Sequence, residues 1–221
     1  MKRELQIFFV LLLFVSNLTF SLLLKIRYNE KPYEISDKSN ELNLKKSGFW
    51  EVNQIYIDNS NPTMNWATTK ATNEWCTGSG TINDPYIIED VIINGQNSGT
   101  CIDIRYSSAF FIIRNCIVFN SGFGESGIDL YRVDNGKILF NDVSFNGDHG
   151  INLQRGDNFV ISNNTLSNNR RAGISLESFH ENCIISSNVA ADNGQDGIVL
   201  RQDCDNNIIT GNHIYSKYWI F

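Results

Sequence analysis

Five short runs recur through this chain at intervals of 23 to 26 residues: Cys101-Ile102-Asp103-Ile104, Gly127-Ile128-Asp129-Leu130, Gly150-Ile151-Asn152-Leu153, Gly173-Ile174-Ser175-Leu176 and Gly197-Ile198-Val199-Leu200. Repetition at this period is the mark of a solenoid, in which each copy is one turn and cannot bury its apolar face alone. Within each run apolar residues alternate with polar ones, so one face of a short strand is apolar and the other is not. Gly, Asn, Asp and Ser fill the intervals and supply the turns. Helical repeats fit poorly, because the units are rich in β-branched residues, Asn and Gly.

Three further columns follow from the same spacing. An apolar column reads Ile112, Ile138, Ile161, Ile184 and Ile208, and another Ile92, Ile117, Val143, Leu166, Val189 and Ile214. A polar column reads Asp90, Asn115, Asn141, Asn164 and Ser187, with Asn212 displaced by one residue. Amides at a coil corner are expected to hydrogen-bond to one another and to turn backbone in successive rungs. Rungs of such a coil stack about 4.8 Å apart.

From about Ile87 to Ile214, and in the lead-in Gly78-Ser79-Gly80-Thr81-Ile82-Asn83-Asp84-Pro85-Tyr86-Ile87-Ile88, the chain resembles the right-handed parallel β-helix repeat family. That family includes pectate-lyase-like enzymes and NosD-type carbohydrate-binding and sugar-hydrolase domains. The resemblance implies an all-β, right-handed, single-stranded parallel β-helix of about five to six coils over residues 87–221. It does not imply one activity, because unrelated functions share this scaffold.

The remaining segments read differently. Met1 to Arg27 places a basic start before an apolar run from Ile7 to Leu24, a length at the edge of what spans a bilayer. Residues 1–27 are therefore a signal anchor, forming a separate apolar transmembrane helix, or a cleaved signal peptide. The β-helix is expected outside the cytoplasm in either case, membrane-anchored in the first and secreted in the second. Residues 28–46 read as a polar linker. Residues 47–86, where Trp50, Ile55-Tyr56-Ile57 and Trp66 return, read as an N-terminal cap and lead-in over the open apolar end of the coil. At the other end the chain runs from Tyr215 to Phe221 with no polar capping helix. Those aromatics fold over the last rung, or the sequence is a truncated member of a longer array; an open end would favour end-to-end self-association.

Function is sought on outward positions. In the strand that begins each unit these form two columns: Asp103, Asp129, Asn152, Ser175 and Val199, then Arg105, Tyr131, Gln154, Glu177 and Arg201. Carboxylates, arginines, amides and a tyrosine on one face suit a polysaccharide, bound or cleaved, with Ca²⁺ one ion such carboxylates could hold. The plain alternative is a solvated strand face. No catalytic motif of the family can be placed on these residues one by one. A turn column reads Ser108, Asp134, Asp157, His180 and Cys204; the last four are weak metal candidates, and the resemblance to NosD-type proteins makes copper the metal to consider. Ordinary turn chemistry explains the same residues. His149 follows Asp148 and lies near Arg170 and Arg171 of the next coil, a loop cluster that could meet an acidic sugar.

Five cysteines without CxxC spacing exclude a simple zinc or redox motif, and Cys76–Cys101 is the favoured disulfide pair. A formal net charge of −6 argues against general nucleic-acid binding. The leading expectation is a membrane-tethered extracytoplasmic β-helix that binds carbohydrate or another surface polymer. The alternatives are a polysaccharide lyase or glycoside hydrolase, a structural surface repeat, and a copper-handling protein.

Overall fold

The structure is a computed structural model that describes residues 45, 46 and 48–216. The expected apolar helix, the linker up to residue 44 and the aromatic tail beyond Ser216 lie outside the described residues. Among the described residues no helix is long and apolar enough to cross a membrane.

The chain winds through three sheets in turn. Sheet B holds Ile55–Asp58, Ile102–Ser107, Ile128–Val133, Ile151–Gln154, Ile174–Glu177 and Ile198–Arg201. Sheet C runs from Cys76–Thr77 and Tyr86–Glu89 to Ile208–Thr210, and sheet A from Lys45–Lys46 and Phe49–Val52 to His213–Tyr215. Successive strands in each sheet pair in parallel, except for an antiparallel strand at the start of sheet A and another at the start of sheet C. This is the all-β parallel solenoid that the repeat predicts. Its rungs begin earlier than residue 87: Phe49–Val52 pairs with Val91–Asn94, and Ile55–Asp58 pairs with Ile102–Arg105. The short helix Trp66–Thr72 follows, with the Asn65 side chain accepting from the Thr68 amide. Its Trp66 is buried, stacks on Tyr86 at 4.9 Å and donates to the Ser107 hydroxyl.

The sheet B column Ile102, Ile128, Ile151, Ile174 and Ile198 stands in register as read from the repeat. The sheet C column does not. Its inward residues are Ile88, Ile113, Ile138, Ile161, Ile185 and Ile209, whereas Ile112, Ile184 and Ile208 face outward. At each of those three places two isoleucines stand side by side, and the second one is inward. Cys183 is therefore the buried neighbour of an outward Ile184. Sheet A shows the same slip: Ile93, Val118, Val143, Leu166, Ala190 and Ile214 stack, leaving Ile92, Ile117 and Val189 outside.

The asparagine column also resolves into two. Asn141, Asn164, Asn188 and Asn212 form the ladder: the side-chain oxygens of the last three accept from the amide and side chain of the asparagine one coil earlier, and that of Asn141 accepts from the Cys116 amide. The side chains of Asn141, Asn164, Asn188 and Asn212 also donate to backbone carbonyls of the preceding coil. Asp90, Asn115 and Ser187 occupy the position just before the ladder at the same corner, where φ is between 51° and 56°. Asn and Asp tolerate that left-handed backbone better than other side chains. A second ladder, Asn146, Asn169 and Asn193, stands at the corner leading into sheet B. It leaves no room for a side chain at the repeat glycine: a Cβ at Gly173 would lie 3.0 Å from the Asn193 amide nitrogen and 2.7 Å from the Gly197 carbonyl oxygen.

The favoured disulfide is not formed. Cys76 and Cys101 are both free and buried, as are Cys116 and Cys183. Burial pushes the thiols of Cys76, Cys101 and Cys116 up to about 12 and that of Cys183 to about 11, so all four behave as small core side chains.

The ladder carries a measurable share of stability. Asn164→Ala should lower unfolding free energy by about 2–4 kcal/mol, because the Asn141 amide, the Ile138 carbonyl and the Asn188 oxygen lose a buried partner. The exposed neighbour Asn163, at φ 58°, should tolerate Gly within about 0.5 kcal/mol. Urea denaturation of the two variants against the parent checks both.

Candidate functional site

In sheet C one outward column is largely β-branched, Ile87, Ile112, Val160, Ile184 and Ile208 around Lys137, and the other is polar, with Glu89, Arg114, Ser162 and Ser186; in sheet A Ile92, Ile117, Thr165 and Val189 alternate with Glu51, Asp142 and His213. Sheet B differs. Its outward column is Tyr56, Asp103, Asp129, Asn152, Ser175 and Val199, one residue per rung. The second column is Asp58, Arg105, Tyr131, Gln154, Glu177 and Arg201. Both columns stand as the repeat predicts; Tyr56 and Asp58 extend them, and the repeat pattern did not place these two because they precede its first copy.

Although this column points away from the core, Asp103, Asn152 and Ser175 are buried, with 8%, 5% and 0% of their surface exposed. Side chains of the second column lean over them. Arg105 folds back onto Asp103 in a bidentate pair, Nε to Oδ1 and Nη2 to Oδ2, both at 2.8 Å. That pairing raises the Arg105 pKa further above its ordinary value. Arg105 is thus a fixed cation rather than a proton acceptor.

Asp129 is the titratable group that stands out. Burial first, and then the Asp103 carboxylate one rung away, push its carboxyl up to about 6, opposed by the hydrogen bond from Asn152 and by Arg105. Asn152 donates to Asp129 Oδ1 at 3.0 Å, yet its own Oδ1 is buried without a hydrogen-bond partner. Aromatic rings adjoin the carboxyls. Tyr106 and Tyr131 meet edge to face at 5.5 Å, Arg132 lies over both, and Arg105 lies over Tyr56.

His149 joins this face from the preceding corner, which the sequence treated as a separate loop cluster. It is 1% exposed, and its Nδ1 accepts from the Ala172 amide at 3.1 Å. Burial lowers its pKa, so the neutral ring carries its proton on Nε2. That N–H has no hydrogen-bond partner and lies 4.0 Å from Glu177 Oε1. Asp148 instead pairs with Arg171 at 2.9 Å.

The turn column does not assemble as read. Asp134 and Asp157 share a corner position with Glu181, each Asp accepting from the amide of the next residue in the series. His180 and Cys204 fall one residue earlier and point inward, because the turn after Glu177 holds one residue more than the turn after Gln154. His180 is fully buried, its ring nitrogens against the carbonyls of Gly156 and Leu153, and Cys204 Sγ approaches the Leu176 carbonyl. Among the described residues no three His, Cys, Asp or Glu side chains converge as metal ligands.

A family model described as a right-handed beta helix region matches residues 75–218. The chain belongs to this family. No curated protein matches it. Among solved structures it is similar to a double mutant of the periplasmic alginate epimerase AlgG, with 21% identity and a TM-score of 0.47. That match covers 58% of this chain and 33% of the other, so the chain spans about a third of that structure's length.

The raised Asp129 pKa fixes a pH dependence. An unfolded Asp titrates near 3.8, so between there and about 6 the folded chain holds a proton that the unfolded chain has released. This contribution to stability is therefore greatest at low pH and is lost as pH rises through about 6. Asp129→Asn should remove that fall, and thermal unfolding from pH 4.5 to 7.5 should show the parent converging on the variant at the acid end.

Proposed function

We propose that the outer face of sheet B binds an extended polysaccharide. The observation that carries this reading is the column Asp103, Asp129, Asn152 and Ser175: polar and outward, yet buried, or half-buried at Asp129, beside exposed Tyr56 and Tyr106. Stability alone does not require a buried polar column, since the corresponding column of sheet C is largely β-branched and the polar residues Glu89 and Arg114 beside it are left open to solvent. Sugars need both halves of such a face. Carboxyls and amides exchange hydrogen bonds with hydroxyls, and aromatic rings cover the apolar faces of pyranoses. Rungs about 4.8 Å apart repeat these groups along the axis, in the manner that a polymer repeats its own. Asp103, Arg105, Asp129, Tyr131, Asn152 and Gln154 form the centre of the site, with Glu177 and Arg201 at its far end. The apolar segment from Ile7 to Leu24 would hold this face outside the cytoplasm at a membrane, where surface polysaccharide is met.

Asp129 favours a second reading, a glycoside hydrolase. A carboxyl that keeps its proton to about pH 6 is suited to protonate a leaving-group oxygen. A lyase that uses an arginine base draws no support from Arg105, which is clamped to Asp103.

The full chain in detergent should bind at least one class of acidic or neutral oligosaccharide on a glycan array. Asp129→Ala and Tyr131→Ala should each weaken that binding about tenfold. Silence across both classes would overturn the binding reading. Hydrolysis should release reducing ends with an optimum near pH 5 and stop in Asp129→Asn; turnover unchanged in that variant would remove Asp129 as the acid.

A further inference from the structure

Glu177, next to last in the second column, is held in an unusual state. Three donors aim at its Oε1: the Ser175 hydroxyl at 3.4 Å, Arg201 Nη1 at 3.5 Å and His149 Nε2 at 4.0 Å. Hydrogen bonds to a carboxylate ordinarily close to about 2.9 Å or less. None of these does. Two of the donors are fixed: Ser175 and His149 are fully or almost fully buried, and the His149 ring is locked by the Ala172 amide. Glu177 and Arg201 are the movable parts, with 32% and 47% of their side chains exposed.

A buried N–H without a partner is rare in folded chains. Here the unpaired group belongs to a preset cage that a longer-reaching or better-placed carboxylate would satisfy. We propose that His149 Nε2, Ser175 Oγ and Arg201 form a subsite for the carboxylate of an acidic sugar, and that Glu177 occupies it loosely as an internal placeholder. This rests on the sheet B face being a glycan site and names uronates as the class it takes. Binding swings Glu177 out, and the ligand oxygen takes all three donors. A water molecule held between His149 and Glu177 is the rival occupant.

The proposal reverses the ordinary expectation for a residue at a binding site: removing Glu177 should strengthen binding. Calorimetry and ¹⁵N NMR of the His149 ring, on the full chain in detergent, test it with D-glucuronate, a galacturonate hexamer and neutral cellohexaose. Glu177→Ala should bind glucuronate and the acidic hexamer at least about fivefold tighter, with no gain for cellohexaose. Glu181→Ala, which removes the same charge from an exposed turn, should bring no gain. Glucuronate should move the Nε2 resonance in Glu177→Ala, and adding His149→Phe should abolish the gain. Unchanged or weaker uronate binding by Glu177→Ala, or a still Nε2 resonance, would overturn the subsite in favour of water. If glucuronate moves Nε2 while no hexamer binds, the subsite stands and the polysaccharide reading falls.

Discussion

The parallel hydrogen bonding between rungs is the constraint from which the rest follows. A side chain alternates faces with every residue, so a slip of one position would turn each inward isoleucine to solvent. Main-chain pairing alone is tolerant of such a slip. The corner asparagines are less so. An amide at Asn164 that accepts from Asn141 and donates to both the Ile138 carbonyl and Asn188 has all its partners only in one register. Two such ladders, at the corners before and after sheet A, clamp each coil where the chain changes direction. The sheets between them can then carry whatever outward residues they need.

That freedom is used unevenly. Sheet C devotes one outward column largely to β-branched residues, where packing along the stack favours the strand, and leaves the charged pair Glu89 and Arg114 of its other column open to solvent. Sheet B instead stacks carboxyl, amide and hydroxyl groups and then shields them from water with the longer side chains of the next column. Shielding a carboxylate costs stability, visible in the raised Asp129 pKa. Asp103 escapes part of that cost through Arg105, whereas Asp129 has an uncharged partner in Asn152. A face that tolerates these costs in the middle of an otherwise regular solenoid is where function is best sought.

Legibility in the sequence tracked how unambiguous each column was. Each sheet B run holds one Ile followed two residues later by Ile or Leu, so its register and both outward columns could be read directly. In sheet C the pairs Ile112-Ile113, Ile184-Ile185 and Ile208-Ile209 offer two candidates apiece, and periodicity cannot choose between adjacent apolar residues. A signal is present: the inward set steps by 23 to 25 residues, more evenly than the 23 to 26 of Ile112, Ile138, Ile161, Ile184 and Ile208. The Asn146, Asn169 and Asn193 ladder was equally visible, each residue standing four before a repeat glycine. The displacement of His180 and Cys204 into the interior followed from a single extra turn residue, which shifts everything after it by one place.

What no pattern could supply is the meeting of His149 with Glu177. They lie 28 positions apart on different coils and in different columns, and their approach depends on a ring reaching forward one rung to the Ala172 amide. The backbone bond settles which nitrogen carries the proton, and that choice turns His149 from a base into a donor facing the strip of carboxyls. A histidine free to present a lone pair would argue for proton abstraction on this face. One fixed as a donor argues for holding an anion or a hydroxyl, and so weights the face toward recognition, leaving Asp129 as the group whose chemistry is suited to a proton transfer.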